Sequence, residues 1–155
     1  MLVGKVQAQT FTLLHSFTGA SDGGRSVAEL TLSGDTLYGT AQSGGNSGGG
    51  TVFSVKTNGT GFTILHPFTA TVNNGSGNLT NGDGAIPYAG LTLSGDTLYG
   101  TASGGGNSGN GTVFSIKTNG TGFTILHSFT ARVEVFSGGS FTNGDGSGPL
   151  GTLLL

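Results

Sequence analysis

The sequence of 155 residues contains no cysteine and no tryptophan, and charged residues make up only 8% of it. Without cysteine, neither a disulfide framework nor a thiolate metal site can form. Five basic residues and a net charge of −2 argue against nucleic acid and anionic membranes as partners, because both need clustered lysine and arginine. No apolar run approaches the roughly 20 residues that a membrane-spanning helix needs. We therefore expect no nucleic-acid partner and no membrane insertion.

Glycine is abundant, with 33 residues, whereas the hydrophobic fraction is only 34%. A low apolar content is by itself compatible with disorder. However, Phe, Leu, Ile and Val recur at alternating positions, and disorder offers no reason for such a pattern. We therefore predict an ordered chain that lacks a single conventional core.

An internal repeat is the strongest feature of the chain. The stretch 30–66 recurs at 91–127 with four changes in 37 positions. Three copies open with nearly the same phrase: FTLLHSF at Phe11, FTILHPF at Phe62 and FTILHSF at Phe123. The copies are spaced by 51 and then 61 residues. The ten additional residues fall in the connection at 70–84, because loops absorb insertions and packed strands do not. Self-similarity at this period indicates a propeller, a solenoid or another array.

The repeated phrase divides the chain into repeat 1 at 9–61, repeat 2 at 62–122 and a partial repeat 3 at 123–155. Before the first copy, Val6 and Ala8 form the small-x-small pattern that precedes a signal peptidase cut. We interpret residues 1–8 as the remnant of a signal peptide, with a disordered N-terminus as the alternative.

Each unit has the pattern of four short strands. In the second copy, alternating apolar residues predict strands at 91–93, 97–101, 112–117 and 123–129. Ser-Gly-Asp and Asn-Gly sequences between them supply the turns of antiparallel hairpins, and no segment has the apolar period of a helix. The prediction is an all-β fold of tandem four-stranded antiparallel blades, propeller-like, with a β-solenoid or an open stacked β array as the alternative.

Two and a half units cannot close a propeller ring, which usually needs four to eight blades. Exposed blade edges offer a route to strand addition, and a head-to-tail contact that does not close generates a filament. We therefore expect self-association, through blade edges or through further repeats.

The residues that could carry chemistry favour structural roles. Three histidines occupy the same position of the repeat, His15, His66 and His127, and packing is the favoured interpretation over ligation or catalysis. Asp83 and Asp145 belong to Asn-Gly-Asp-Gly sequences that lack the neighbouring acids of a calcium loop. The glycine runs are not followed by the lysine of a phosphate loop. No catalytic, metal or cofactor-binding residue is predicted, and we expect no enzymatic activity.

Five asparagines begin an Asn-x-Ser/Thr triplet and are candidates for glycosylation: Asn58, Asn74, Asn78, Asn110 and Asn119. Turn preference in a chain rich in Asn, Gly, Ser and Thr is the alternative explanation for them.

One long phrase occurs twice, as LYGTAQSGGNSGGGTVFSV at 37–55 and as LYGTASGGGNSGNGTVFSI at 98–116. FTILH(S/P)F follows it each time, and NGDGAIPYAGL occupies 81–91. Together these phrases resemble the GloVer tandem repeat. That repeat marks bacterial "choice-of-anchor tandem repeat GloVer-containing" secreted proteins. The resemblance implies a secreted or surface-attached repeat protein and no known enzymatic activity.

Three functions remain as hypotheses. The first is a secreted or cell-surface structural or interaction protein, which forms filaments or completes a β-propeller by association. The second is a carbohydrate- or protein-binding propeller module, for which Tyr38 and Tyr99 are the candidate ligand contacts and must then be exposed. The third is an enzyme fragment whose catalytic groups lie in other blades.

Overall fold

The computed structural model describes residues 10–136 and 140–154, and all regular secondary structure in these ranges is β-strand. The predicted all-β class is therefore confirmed. The predicted signal-peptide remnant at 1–8 lies outside the described residues. Within the described ranges, no helix is long and apolar enough to cross a membrane.

The first near-identical copy forms a four-stranded antiparallel meander in which the strands lie side by side in chain order. These strands are β1 (Thr31–Ser33), β2 (Thr36–Ala41), β3 (Thr51–Lys56) and β4 (Thr63–Pro67). The inserted connection, predicted to be a loop, instead contains a small hairpin of β5 (Val72–Asn73) and β6 (Leu79–Thr80).

The second copy repeats the meander with β7 (Thr92–Ser94), β8 (Thr97–Ala102), β9 (Thr112–Lys117) and β10 (Thr124–Ser128). A second small hairpin follows, formed by β11 (Val133–Phe136) and β12 (Ser140–Thr142). All named strands pair antiparallel, as expected for blades and unlike the coils of a parallel solenoid. The described sheets form an open array and close no barrel.

Turn chemistry explains why the first two strands of each unit fold back so tightly. Gly34 and Gly95 stand first in two-residue turns with φ angles of 59° and 60°. A type II′ turn needs this conformation at its first central position, and glycine adopts it without steric cost. At the opposite hairpin, the Asn58 side chain accepts a hydrogen bond from the Thr60 main-chain nitrogen at 3.0 Å, and Asn119 repeats this contact with Thr121.

The main core lies where the first unit meets the second. Phe68, which follows β4, is fully buried beside Phe114 of β9, and their ring centroids are 5.4 Å apart. The surrounding core contains Tyr38, Val52, Leu91, Leu98, Ala102 and Ile116. Because each fully buried large apolar side chain contributes about 1.5–3 kcal/mol, this shared core stabilises the two units together.

The chain crosses the first unit before it enters the second. The Ile86 main-chain nitrogen donates to Gly49 at 2.9 Å, and the Thr40 hydroxyl donates to the Ala89 carbonyl at 3.0 Å. The third copy repeats this path on the second unit, where the Gly148 nitrogen donates to Asn110 at 2.8 Å. Each unit therefore supplies the platform on which the next one begins.

Candidate functional site

A histidine and an aspartate pair in every copy. The Nε2 atom of the histidine lies 3.2, 3.0 and 2.8 Å from an aspartate oxygen in the pairs His15–Asp22, His66–Asp83 and His127–Asp145. An ionised carboxylate can only accept hydrogen bonds, so the contact places a histidine proton on Nε2. In each copy, the aspartate of the connection thus anchors the histidine that precedes that connection.

The same aspartate also accepts hydrogen bonds from a threonine three residues after the histidine. Main-chain and hydroxyl groups of Thr18, Thr69 and Thr130 all donate to it, with hydroxyl distances of 2.5, 2.5 and 2.6 Å. The Thr18 hydroxyl is the main cause that lowers the pKa of Asp22, and the Thr130 hydroxyl does the same for Asp145.

Sequence reasoning missed this His–Thr–Asp set. The signal was nonetheless present, because His-x-Phe-Thr and a following Asp-Gly recur together in all three copies. The variable length of the intervening connection hid the association, since Asp22 follows Thr18 by four residues whereas Asp83 follows Thr69 by fourteen.

The histidines also join successive copies. The His15 ring stacks on Phe62 at a centroid distance of 3.6 Å, and the His66 ring stacks on Phe123 at the same distance. The interplanar angles are 6° and 5°. Each stack connects a histidine to the phenylalanine that opens the next copy of the phrase. We call the stack, together with its His–Thr–Asp set, the repeat joint.

Burial of the histidine depends on that stacking partner. The side chains of His15 and His66 are 23% and 17% exposed, whereas the side chain of His127 is 47% exposed. His127 keeps its aspartate and lies edge-on to Phe129, but in the described ranges no phenylalanine stacks on its face. The third joint is therefore half formed.

Burial in the complete joint lowers the pKa of His66 below its usual value of 6.5, and the hydrogen bond and charge of Asp83 offset this only in part. The unfolded chain then binds more protons than the folded chain between the folded pKa and 6.5. We expect the contribution of His66 to stability to be complete above pH 6.5 and to be lost as the pH falls through the folded pKa. Urea unfolding at several pH values measures this loss.

The variant His66→Gln is the control, because glutamine does not titrate. The difference in unfolding free energy between the two proteins should change with pH below 6.5 and be constant above it. A constant difference over the whole range would contradict the assignment.

The histidines contribute to separate joints, and the described residues contain no group of three His, Asp or Glu side chains able to hold a metal ion. Asp83 and Asp145 instead bind the histidine and the threonine that precede their connections. Next to Asp83, Gly84 has a φ of 97°, a conformation that glycine adopts readily.

The candidate ligand contacts Tyr38 and Tyr99 occupy unequal environments. Tyr38 is 8% exposed and belongs to the main core, while Tyr99 is half-buried. A buried ring offers no face to a ligand, so the interpretation of Tyr38 as a ligand contact does not fit its position. In contrast, Tyr88, which the sequence analysis did not select, is 42% exposed.

Four of the five candidate glycosylation asparagines are exposed. The side chains of Asn58, Asn74 and Asn119 cap turns through their oxygen atoms. Asn110 is half-buried, and its side-chain nitrogen, the atom that would carry sugar, donates to the Thr130 carbonyl at 2.5 Å. Of the five, Asn110 is thus the least accessible.

A groove lies between the glycine-rich loops of the two units. The β5–β6 hairpin borders it through Asn78 and Leu79, and Ile86 lines it from the connection between the units. Gly49 and Gly105 bring the two loops to its walls. The groove therefore combines main-chain polar groups with two partly exposed apolar side chains.

Comparison with protein families finds a match to the model described as the Gloeobacter/Verrucomicrobia repeat, over residues 3–153. The match confirms the resemblance to the GloVer repeat. Comparison with the curated proteins and with the solved structures found no match. Because the family model covers nearly the whole sequence, the chain belongs to the Gloeobacter/Verrucomicrobia repeat family.

Proposed function

We propose that the chain is a secreted or cell-surface structural and interaction protein that works by assembly of its repeats. The observation that carries the proposal is the repeat joint. Each of the three histidines, the residues best suited to chemistry, is held by an aspartate, and the rings of His15 and His66 stack on the phenylalanine that opens the next copy. Near-identical units joined in this way make neighbouring interfaces equivalent, and such interfaces favour extended assemblies.

The surface supports a role outside the cell. Charged residues are few, and the loops are rich in Gly, Ser, Thr and Asn. Exposed loop asparagines would tolerate attached sugar without disturbing the core. Secretion is tested by fractionating cells that express the natural gene and locating the protein with an antibody.

Assembly is tested by electron microscopy and sedimentation of the purified chain, with its intact mass measured in parallel. We expect open oligomers or regular filaments as the concentration rises. A mass above that of the polypeptide would show attached sugar. A chain that stays monomeric at every concentration, or that forms discrete closed rings, would contradict filament assembly.

A carbohydrate-binding module is the second candidate, supported by the groove between the glycine loops and by the exposed ring of Tyr88. Aromatic faces and clustered polar groups are typical of such sites. Binding to a panel of polysaccharides tests it, with Tyr88→Ala and Asn78→Ala as variants. Loss of binding in either variant would support this candidate, and absence of binding by the parent chain would remove it.

A further inference from the structure

The connections after the two four-stranded units both contain an inserted hairpin. The connection between the units is ten residues longer than its counterpart in the first copy, and β5 and β6 lie within it. The hairpin of β11 and β12 occupies the corresponding connection after the second unit. Insertions in repeat proteins map to one face of the array, which is often the face that binds ligands. The hairpins therefore mark a face on which a ligand site is expected.

The β5–β6 hairpin packs on the glycine-rich loop of the second unit. A Cβ added to Gly109 of that loop would lie 3.0 Å from the Leu79 main-chain oxygen and 3.2 Å from the Cβ of Asn78. Within the hairpin, the Asn74 side-chain oxygen accepts hydrogen bonds from the main-chain nitrogens of Ser76 and Asn78, at 2.9 and 3.3 Å. These contacts hold the hairpin in a defined position beside the second unit.

A polar cleft of about 400 Å³ lies beside this contact. It is lined by Ser76 and Asn78 of the hairpin, by Asn110 of the glycine-rich loop and by Arg132, which directly precedes β11. Asn78 also lines the groove between the glycine loops, so the cleft continues that groove. Its volume falls in the range of roughly 300–1,000 Å³ that is usual for ligand sites. We call it the hairpin cleft.

Hydrogen bonds orient two of the side chains that line the hairpin cleft. The Asn110 Nδ2 atom donates to the Thr130 carbonyl at 2.5 Å, and the amide oxygen remains as an acceptor. The Arg132 Nη2 atom donates to the Ser147 hydroxyl at 2.6 Å, which uses one of the several N–H groups of the guanidinium. The lining thus offers a cation, two amides and a hydroxyl.

The packing of the repeat does not require the asparagine and the arginine of the cleft. Asn110 replaces Gly49 of the first copy, which is one of the four differences between the near-identical stretches. An added Cβ at Gly49 would lie 2.9 Å from the Thr69 main-chain oxygen, so the first unit has little room for a side chain there. Arg132 stands at the position that Thr71 occupies in the preceding connection. The second unit is therefore distinguished from the first by two polar side chains that point to a ligand.

The chemistry of these side chains indicates a ligand that carries a carboxylate among many hydroxyl groups. A guanidinium binds a carboxylate through charge-assisted and often paired hydrogen bonds. Amide and hydroxyl side chains both donate and accept, so they suit the hydroxyl groups of sugars. We infer that the hairpin cleft binds an acidic polysaccharide, in which uronic acids or similar sugars supply the carboxylate for Arg132. The inference rests on carbohydrate binding, the second candidate function, and names its ligand class.

Other anionic partners fit the hairpin cleft less well. Nucleic acids and anionic membranes need clusters of basic residues, whereas a single carboxylate needs one arginine. An extended acidic peptide is usually recognised by a strand edge and apolar pockets, and the side chains that line this cleft are all polar. Because the chain has a net charge of −2, long-range attraction to a polyanion is absent and binding depends on contacts within the cleft.

Titration calorimetry of the full chain with oligomers of galacturonate, alginate and hyaluronan tests the inference. We expect at least one of these acidic saccharides to bind. The methyl ester of the bound oligomer is the matched ligand, since it keeps the sugar rings and removes the charge. It should bind at least about tenfold more weakly, because a hydrogen-bonded charge pair is lost.

The variant Asn110→Gly/Arg132→Thr gives the second unit the residues of Gly49 and Thr71, with which the repeat already folds. Its affinity for the acidic saccharide should fall by about tenfold or more, and Arg132→Gln alone should also weaken binding. Arg25→Gln is the control, because it removes the same charge at an exposed position before β1 and should leave binding unchanged. Circular dichroism checks that each variant is folded.

Equal binding of the methyl ester, or unchanged affinity in folded Arg132→Gln, would overturn the inference. Binding of poly-glutamate as tight as that of the saccharide would also overturn it and identify acidic peptides as the ligand. Binding of a neutral polysaccharide that is lost in Tyr88→Ala but unchanged in Arg132→Gln would support carbohydrate binding and reject the hairpin cleft. Absence of binding to every polysaccharide would reject both.

Discussion

Replacing Phe68 by alanine is expected to lower the free energy of unfolding by about 3–5 kcal/mol, the usual cost of removing a fully buried phenylalanine. The ring is completely buried and lies against His66, Phe114 and Phe123. It therefore belongs to the core shared by the two units, and its removal leaves a cavity at their junction. Urea unfolding followed by circular dichroism measures the loss.

Phe129→Ala is the matched control for this change. Phe129 has the same repeat position but is only half-buried, and His127 is its aromatic neighbour among the described residues. Its replacement should cost about 1–2 kcal/mol. Equal losses in the two variants would show that the junction between the units contributes no extra stability.

Gly50→Ala is the second change with a large expected effect, at about 2–5 kcal/mol of lost stability. Gly50 has a φ of 96°, and an added Cβ would lie 2.5 Å from the Ala41 main-chain oxygen and 2.6 Å from Pro87. Left-handed backbone costs a non-glycine residue about 1–2 kcal/mol, and overpacking costs about 1–3 kcal/mol more. Because the main-chain oxygen belongs to a strand, it cannot move away without breaking the sheet.

Gly48→Ala separates the two causes. Gly48 lies in the same loop with a φ of 76°, but an added Cβ would have no atom within 4 Å. This variant should lose only the backbone contribution of about 1–2 kcal/mol. If Gly48→Ala were as destabilising as Gly50→Ala, the close contacts of Gly50 with Ala41 and Pro87 would contribute nothing to the loss of stability.

The strands were predictable from the sequence because local signals specify them. The β-branched and aromatic residues Thr112, Val113, Phe114 and Ile116 predicted a strand at 112–117, and β9 has the same bounds. The strand predicted at 91–93 begins one residue later in the structure, at Thr92. Turn sequences set the hairpins, so a short stretch of chain contains all the information that each unit needs.

The ring stack of the repeat joint could not be predicted in the same way. His66 and Phe123 lie in different copies, and no local pattern indicates that their rings stack. The small β5–β6 hairpin was also missed, because strands of two residues are too short to show an alternating pattern. Tyr38 illustrates a related limit: a strand tyrosine can face the core or the solvent, and only the packing of the next unit determines which.

The central claim is that His66 and Phe123 join successive repeats, and a double-mutant cycle tests it most directly. The unfolding free energies of His66→Ala, Phe123→Ala and the double variant are measured in urea at pH 7.5. We expect a coupling energy of about 0.5–1.5 kcal/mol, as for other aromatic pairs. The pair His127 and Phe123, for which no ring contact is present, serves as the control and should be additive. Losses at His66 and Phe123 that add within about 0.3 kcal/mol would contradict the account.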